Sequence, residues 1–169
     1  MSHSASFPPP AFILAAALAI TLAAPAFAAG PPPKEPNSKH QNPRACELVN
    51  AQDVAATLKL TVGEGQAQSA RGTFSCAFSL ADGSNRTVMV ELRTGTGARP
   101  SFLQKRSDGE TVFGLGDEAV WLRNYSTLLV LTRDNEVLAV ELTSAASAMK
   151  RLAPRDGAVD LARRALSKL

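Results

Sequence analysis

The sequence predicts an α+β domain: an antiparallel sheet built from hairpins and a meander, with helices packed on one face and one disulfide. Three observations carry that expectation. Three strand-like runs, Asp117 to Arg123, Thr127 to Thr132 and Glu136 to Thr143, follow one another with turn residues between them. Two further alternating runs, Phe74 to Leu80 and Arg86 to Thr94, flank the strong turn dipeptide Asp82-Gly83. Apolar residues recur at helical spacing near the two ends of the domain, through Asn50 to Lys59 and again from Asp156 to Leu169.

Taken in order, the chain begins with an export pattern. Ala11 to Ala24 is almost wholly apolar and is followed by Pro25 and the small-residue triplet Ala26-Phe27-Ala28. Residues 1–28 therefore read as a secretory signal cleaved after Ala28. No Lys or Arg precedes the apolar run, and the alternative is an uncleaved membrane anchor. No Cys stands just after the cut, which argues against a lipid-anchored form. Residues 29–44 hold Pro31, Pro32, Pro33, Pro36 and Pro43 among polar residues, have nothing to bury, and read as a tether. Residues 45–169 form a single domain. No later stretch is long and apolar enough to span a membrane.

In the domain, Asn50 is placed as an N-cap with Asp53 three residues on, opening a short helix through about Lys59 that carries Val54, Ala55 and Leu58 on one side. Thr61 to Ala70 is a weak Gly- and Gln-containing run suited to an edge strand. In Phe74 to Leu80 the residues Phe74, Cys76, Phe78 and Leu80 point one way, and in the next run Val88, Val90 and Leu92 do the same. Gly95 and Gly97 break that strand, Pro100 suits the first turn of a short helix, and Phe102 and Leu103 are placed to dock it. Gly114 and Gly116 can take positive φ beside Asp117, whose carboxylate is suited to accept backbone N–H bonds in that turn. The run Leu128-Leu129-Val130-Leu131 lacks polar alternation, so its strand should be central, met by helices on one face and by side chains or a partner on the other. Asp134-Asn135 suits a two-residue hairpin. Asp156 or Gly157 opens a last helix with Val159, Ala162, Leu166 and Leu169 on its apolar stripe.

The only cysteines are Cys46 and Cys76. In an exported chain such a pair predicts a disulfide; two buried, reduced thiols are the alternative.

The segments Cys46 to Ala55, Cys76-Ala77-Phe78 and Gly114 to Trp121 resemble small exported bacterial domains of unknown function, many of them actinobacterial lipoproteins. In that family a helix begins near a Cys, a second Cys precedes an aromatic, and a Gly-x-Gly-Asp-x-Ala turn leads into an aromatic strand. The resemblance covers about Ala45 to Leu169 and implies an α+β domain in the envelope. It brings no catalytic residue. The chain departs from lipid-anchored members in having no acceptor Cys after the signal.

The residues exclude several chemistries. His3 falls in the signal and His40 in the tether, so the domain holds no histidine. That removes the usual general base, most zinc sites and the Ser-His and Cys-His nucleophile pairs. We expect no cofactor and no metal. Ser147 and Lys150 match Ser-x-x-Lys, a nucleophile motif, with no Lys-Thr-Gly or Ser-Asp-Asn partner. The net charge of +3, from 18 basic and 15 acidic residues, is too small and too spread for nucleic-acid binding.

For binding, Trp121, Arg123 and Tyr125 offer an aromatic and basic patch, the alternative being a core tryptophan. Arg163 and Arg164 offer a basic helix face for an anionic envelope polymer, the alternative being a solvated face. The expectation is a periplasmic or secreted accessory module, without catalysis, that meets an envelope protein or anionic polymer. A small inhibitor or immunity protein working through a loop such as Gly114 to Asp117 or Gly95 to Pro100, and a carrier with an apolar cavity, are the other expectations.

Overall fold

The structure, a computed structural model, describes residues 45–149 and 153–169. The expected signal and tether lie outside the described residues, as do Lys150 and Arg151.

α1 (Ala45–Leu48) is a single turn. α2 (Ala51–Leu58) begins as its cap predicts: Asp53 N–H donates to Asn50 Oδ1 at 2.9 Å, and Asn50 N–H donates to Asp53 Oδ2 at 3.3 Å. The helix ends where Lys59 turns left-handed, φ 56°. Then come β1 (Gln66–Ala70), β2 (Thr73–Ser79) and β3 (Thr87–Arg93), with α3 (Ala98–Arg106) leading to β4 (Glu110–Thr111). β5 (Glu118–Leu122), β6 (Thr127–Leu131) and β7 (Val137–Glu141) follow, and α4 (Pro154–Leu166) closes the chain. Among the described residues no helix is long and apolar enough to cross a membrane.

The seven strands form one antiparallel sheet in the order β1-β2-β3-β7-β6-β5-β4. Two meanders are thus joined edge to edge through β3 and β7, with Val90 opposite Val140. The expected strand and turn order is present, and β1 is the edge strand expected within Thr61 to Ala70. β1 and β2 meet in a two-residue turn whose Arg71 and Gly72 both have positive φ, the geometry that matches strand twist.

Alternation sorts the side chains onto two faces. On the first, Cys76, Phe78, Val88, Val90, Leu128, Leu138 and Val140 pack under α1, α2 and α4 in the main core. The disulfide Cys46–Cys76, with its Cα atoms 5.0 Å apart, ties α1 to β2. On the second face Val120, Leu122, Leu129, Leu131, Val137 and Ala139 pack beneath Ala98 and Phe102 of α3. Three helices therefore share one face, and the far side of β6, expected to meet side chains or a partner, meets α3.

Other details differ from the sequence reading. Leu103 does not dock α3; it is 42% exposed, and Phe102 anchors the helix alone with Ala98 because the short helix turns only that side to the sheet. The turn after β6 has three residues, Arg133 to Asn135: Thr132 N–H donates to Glu136 O, and Asn135 takes the left-handed conformation. α4 starts at Pro154, whose missing N–H is no loss in a first turn, so Asp156 and Gly157 lie inside it. Its buried stripe is Ala158, Leu161, Ala162 and Ala165, small side chains that let the helix lie close to the sheet, while Leu169 is exposed.

Candidate functional site

The second face is covered over only half its width. β5, β6 and β7 present apolar side chains to α3, whereas β2 presents Thr73, Ser75, Ala77 and Ser79, and β3 presents Thr87, Met89, Glu91 and Arg93. Small and polar residues give no purchase for a covering helix, so this half stays open, as antiparallel sheets allow. α3 crosses one end of the sheet: an Arg99 guanidinium N–H donates to Asn135 Oδ1 at 3.0 Å and Arg106 to Glu118 Oε1 at 3.2 Å.

Below α3 lies a cleft of about 390 Å³. Its floor is Met89, Leu122, Leu129 and Ala139, and Lys105 and Asp108 stand on the α3 side. Tyr125, 63% exposed, stands at the far end with Thr127, Glu141 and Thr143. The Tyr125 carbonyl accepts from the hydroxyls of Thr127, at 2.9 Å, and of Thr143, which fixes the turn carrying the ring. Glu141 stands opposite Met89 on one side and Thr127 on the other. Among the described residues its carboxylate, half-buried, has no basic side chain within ion-pair distance. An apolar floor with a few convergent polar groups is the usual composition of a ligand site.

A second cleft, of about 640 Å³, continues along β3 past the Glu91–Arg93 ion pair, which lines both. Its wall is the expected glycine-rich strand exit Thr94 to Gly97, and Arg71 overhangs it from the β1–β2 turn. The two clefts make one trough along β3, between α3 and the β1–β2 hairpin.

The residues singled out from the sequence do not converge. Trp121 is 5% exposed and sits in the main core on the first face, because alternation turns it away from the trough; it is no part of a binding surface. Arg123 is held by Glu110, Nε to Oε1 3.0 Å. Tyr125 alone of that trio lines the trough. Arg163 pairs with Asp160 at 2.9 Å, and Arg164 and Lys168 reach Asp53 at 3.4 and 3.2 Å, so one basic residue is held within α4 and two more clamp this end of the chain to α2.

Gly114 and Gly116 take the positive φ expected of them, and a Cβ at Gly116 would collide with the Leu131 carbonyl. The Asp117 carboxylate does not serve that turn; it stands 3.9 Å from Arg133. The Asx geometry expected there is found at Asp82, whose Oδ1 accepts from Ser84 N–H at 3.0 Å. Ser147 Oγ accepts from Arg86 at 3.2 Å, and Lys150 lies outside the described residues.

Met89, Glu91 and Glu141 are not singled out by the sequence analysis. The available signal was their sharing one face with apolar Leu129 and Ala139, legible only once β3 is known to pair with β7. The layer between the sheet and α1, α2 and α4, where a carrier cavity was expected, is filled by Leu48, Leu58, Phe78, Leu138 and Leu161. No family model matches the chain, and neither a curated protein nor a solved structure matches it.

Proposed function

We propose that this chain is an exported binding module of the bacterial envelope, without catalysis of its own, and that the trough along β3 is its working surface. The observation that carries this is the half-covered second face, where half-exposed Met89 adjoins the edge of the α3 core at Leu122, Leu129 and Ala139, with polar groups around it. Export is supported by the apolar leader and by the disulfide, which is compatible with an oxidising compartment. An anionic polymer is the weaker partner class, since Arg163 and Arg164 are engaged within the fold.

The test is in-cell cross-linking and capture from the envelope fraction, with bound protein and small molecules identified by mass spectrometry. Met89→Arg, which fills the floor of the trough, should abolish capture, and Arg163→Glu should leave it intact. Capture unchanged by Met89→Arg would sink the proposal.

One observation favours the inhibitor reading as a second. Phe113 is 86% exposed between buried Val112 and Leu115, so the Gly114 loop presents an aromatic side chain to solvent. Loss of capture on Phe113→Ser, with Met89→Arg silent, would move the working surface to that loop.

A further inference from the structure

The trough is polarised. At one end Glu141 and Tyr125 line the same cleft, and Glu141 has no basic partner among the described residues. At the other end Arg71 has no acidic partner among the described residues. Between them Glu91 and Arg93 neutralise each other, and the α3 side adds one charge of each sign, Lys105 and Asp108. A ligand lying along β3 therefore meets negative charge and an aromatic face first, a neutral middle, and positive charge last.

The distance between the ends sets the ligand's length. Glu141 is level with Met89, and Thr94 N–H bonds Gly72 O in the turn that carries Arg71. Met89 to Thr94 is five residues of extended chain, about 17 Å at 3.4 Å per residue. Hydroxyls of Thr94, Ser101, Thr127 and Thr143 line the way; each spends its proton on a backbone carbonyl of the fold and keeps lone pairs that can accept from peptide N–H groups.

Resting on the reading of the trough as the working surface, we propose that its ligand is a short extended peptide of about five residues with free ends. The ammonium end sits at Glu141 and Tyr125, where a carboxylate and a ring face both favour a cation. The carboxylate end sits at Arg71, whose planar guanidinium can take it in two parallel hydrogen bonds.

The test uses the mature chain isolated from the envelope fraction, titrated with penta-alanine and followed by amide NMR and calorimetry. Penta-alanine with free ends should bind and move the amide signals of Met89 and Leu129. N-terminal acetylation, which removes the ammonium, should weaken binding about fivefold, the size of a half-exposed ion pair. Glu141→Gln should produce the same loss and make acetylation silent. C-terminal amidation should likewise weaken binding about fivefold, and Arg71→Asn should make amidation silent. Asparagine is chosen because it tolerates the left-handed conformation of position 71 and so preserves the turn.

Equal affinity of capped and free peptides, or capping effects that survive both variants, would overturn the inference. If capped and free peptides move the Met89 and Leu129 signals alike, the trough remains a binding surface and only its polarity is wrong. If no peptide moves those signals, the peptide assignment is overturned, and the proposed function stands or falls on the Met89→Arg capture alone.

Discussion

Asp53→Ala separates a structural from a binding role for the basic residues of α4. Asp53 accepts from Asn50 N–H in the capping box and receives Arg164 and Lys168 from α4. Losing half of a capping box costs about 1 kcal/mol. The two ion pairs have half-exposed cations and contribute about 0.5 kcal/mol each. The expected loss is about 2 kcal/mol, a fall in Tm of roughly 8 °C for a domain of this size, read by thermal and urea unfolding at pH 7. Asp53→Asn keeps an oxygen for the Asn50 N–H but loses the charge, and should cost about half as much.

The pH dependence has a definite sign. Burial pushes the Asp53 carboxyl up, but hydrogen bonds from Lys168 and Asn50 and the charges of Lys168 and Arg164 outweigh it and hold the group below its ordinary range. A lowered folded pKa gives stability that is present above the ordinary carboxylate value and is lost as pH falls through the folded one. The gap between the native chain and Asp53→Asn should therefore be full at pH 7 and close at acid pH, once the carboxyl of the folded chain is itself protonated. A gap that persists there, or an Arg164→Ala loss fully additive with Asp53→Ala, would refute the clamp and return Arg164 to the candidate surface.

Three further outcomes follow from the core. A Cβ at Gly65 would stand 2.5 Å from Cys76 Sγ and 2.7 Å from Phe78 Cε1, both fixed, so Gly65→Ala should destabilise by about 2 kcal/mol in urea unfolding. Replacing both cysteines by serine opens a loop of 30 residues and should lower stability by up to about 3.6 kcal/mol, with α1 the first segment to lose amide protection. Phe102→Ala removes the main anchor of α3 and should cost about 3 kcal/mol, with proteolytic cleavage appearing first within residues 95–109.

The fold was legible because its elements are locally consistent. Asn50 and Asp53 fit only a helix start, Asp82-Gly83 fits a turn, and the alternation of Phe74 to Leu80 and Arg86 to Thr94 fixes which residues face the core. The errors have physical sources. Arg133 entered the turn because Asn135, not Asp134, takes the single left-handed position, and sequence cannot choose between two residues that both tolerate it. The start of α4 was placed late because Pro154 reads equally as a breaker and as a first helical residue. Trp121 was offered as a surface anchor because an alternating strand states two faces but not which one is outward. The trough was invisible because its residues come from β3, β6, β7 and α3, and the β3–β7 pairing spans half the domain.

A partly open antiparallel face is not by itself a site, since such sheets commonly present one side to water. The distinction lies in what each residue does for stability. If the open half of this face is only solvated, Met89 belongs to the fold, and its loss should be felt there or nowhere. If the trough is the working surface, Met89 is half-exposed apolar floor kept for a ligand. Met89→Ser should then cost about 1 kcal/mol or less in urea unfolding, since little buried area is removed, and yet reduce ligand capture severalfold. Val90→Ser, one residue along and fully buried on the other face, should do the reverse, unfolding the domain readily while the folded fraction binds normally. Matching losses of stability and capture in the two variants would assign Met89 to the fold and leave the open half to the solvent.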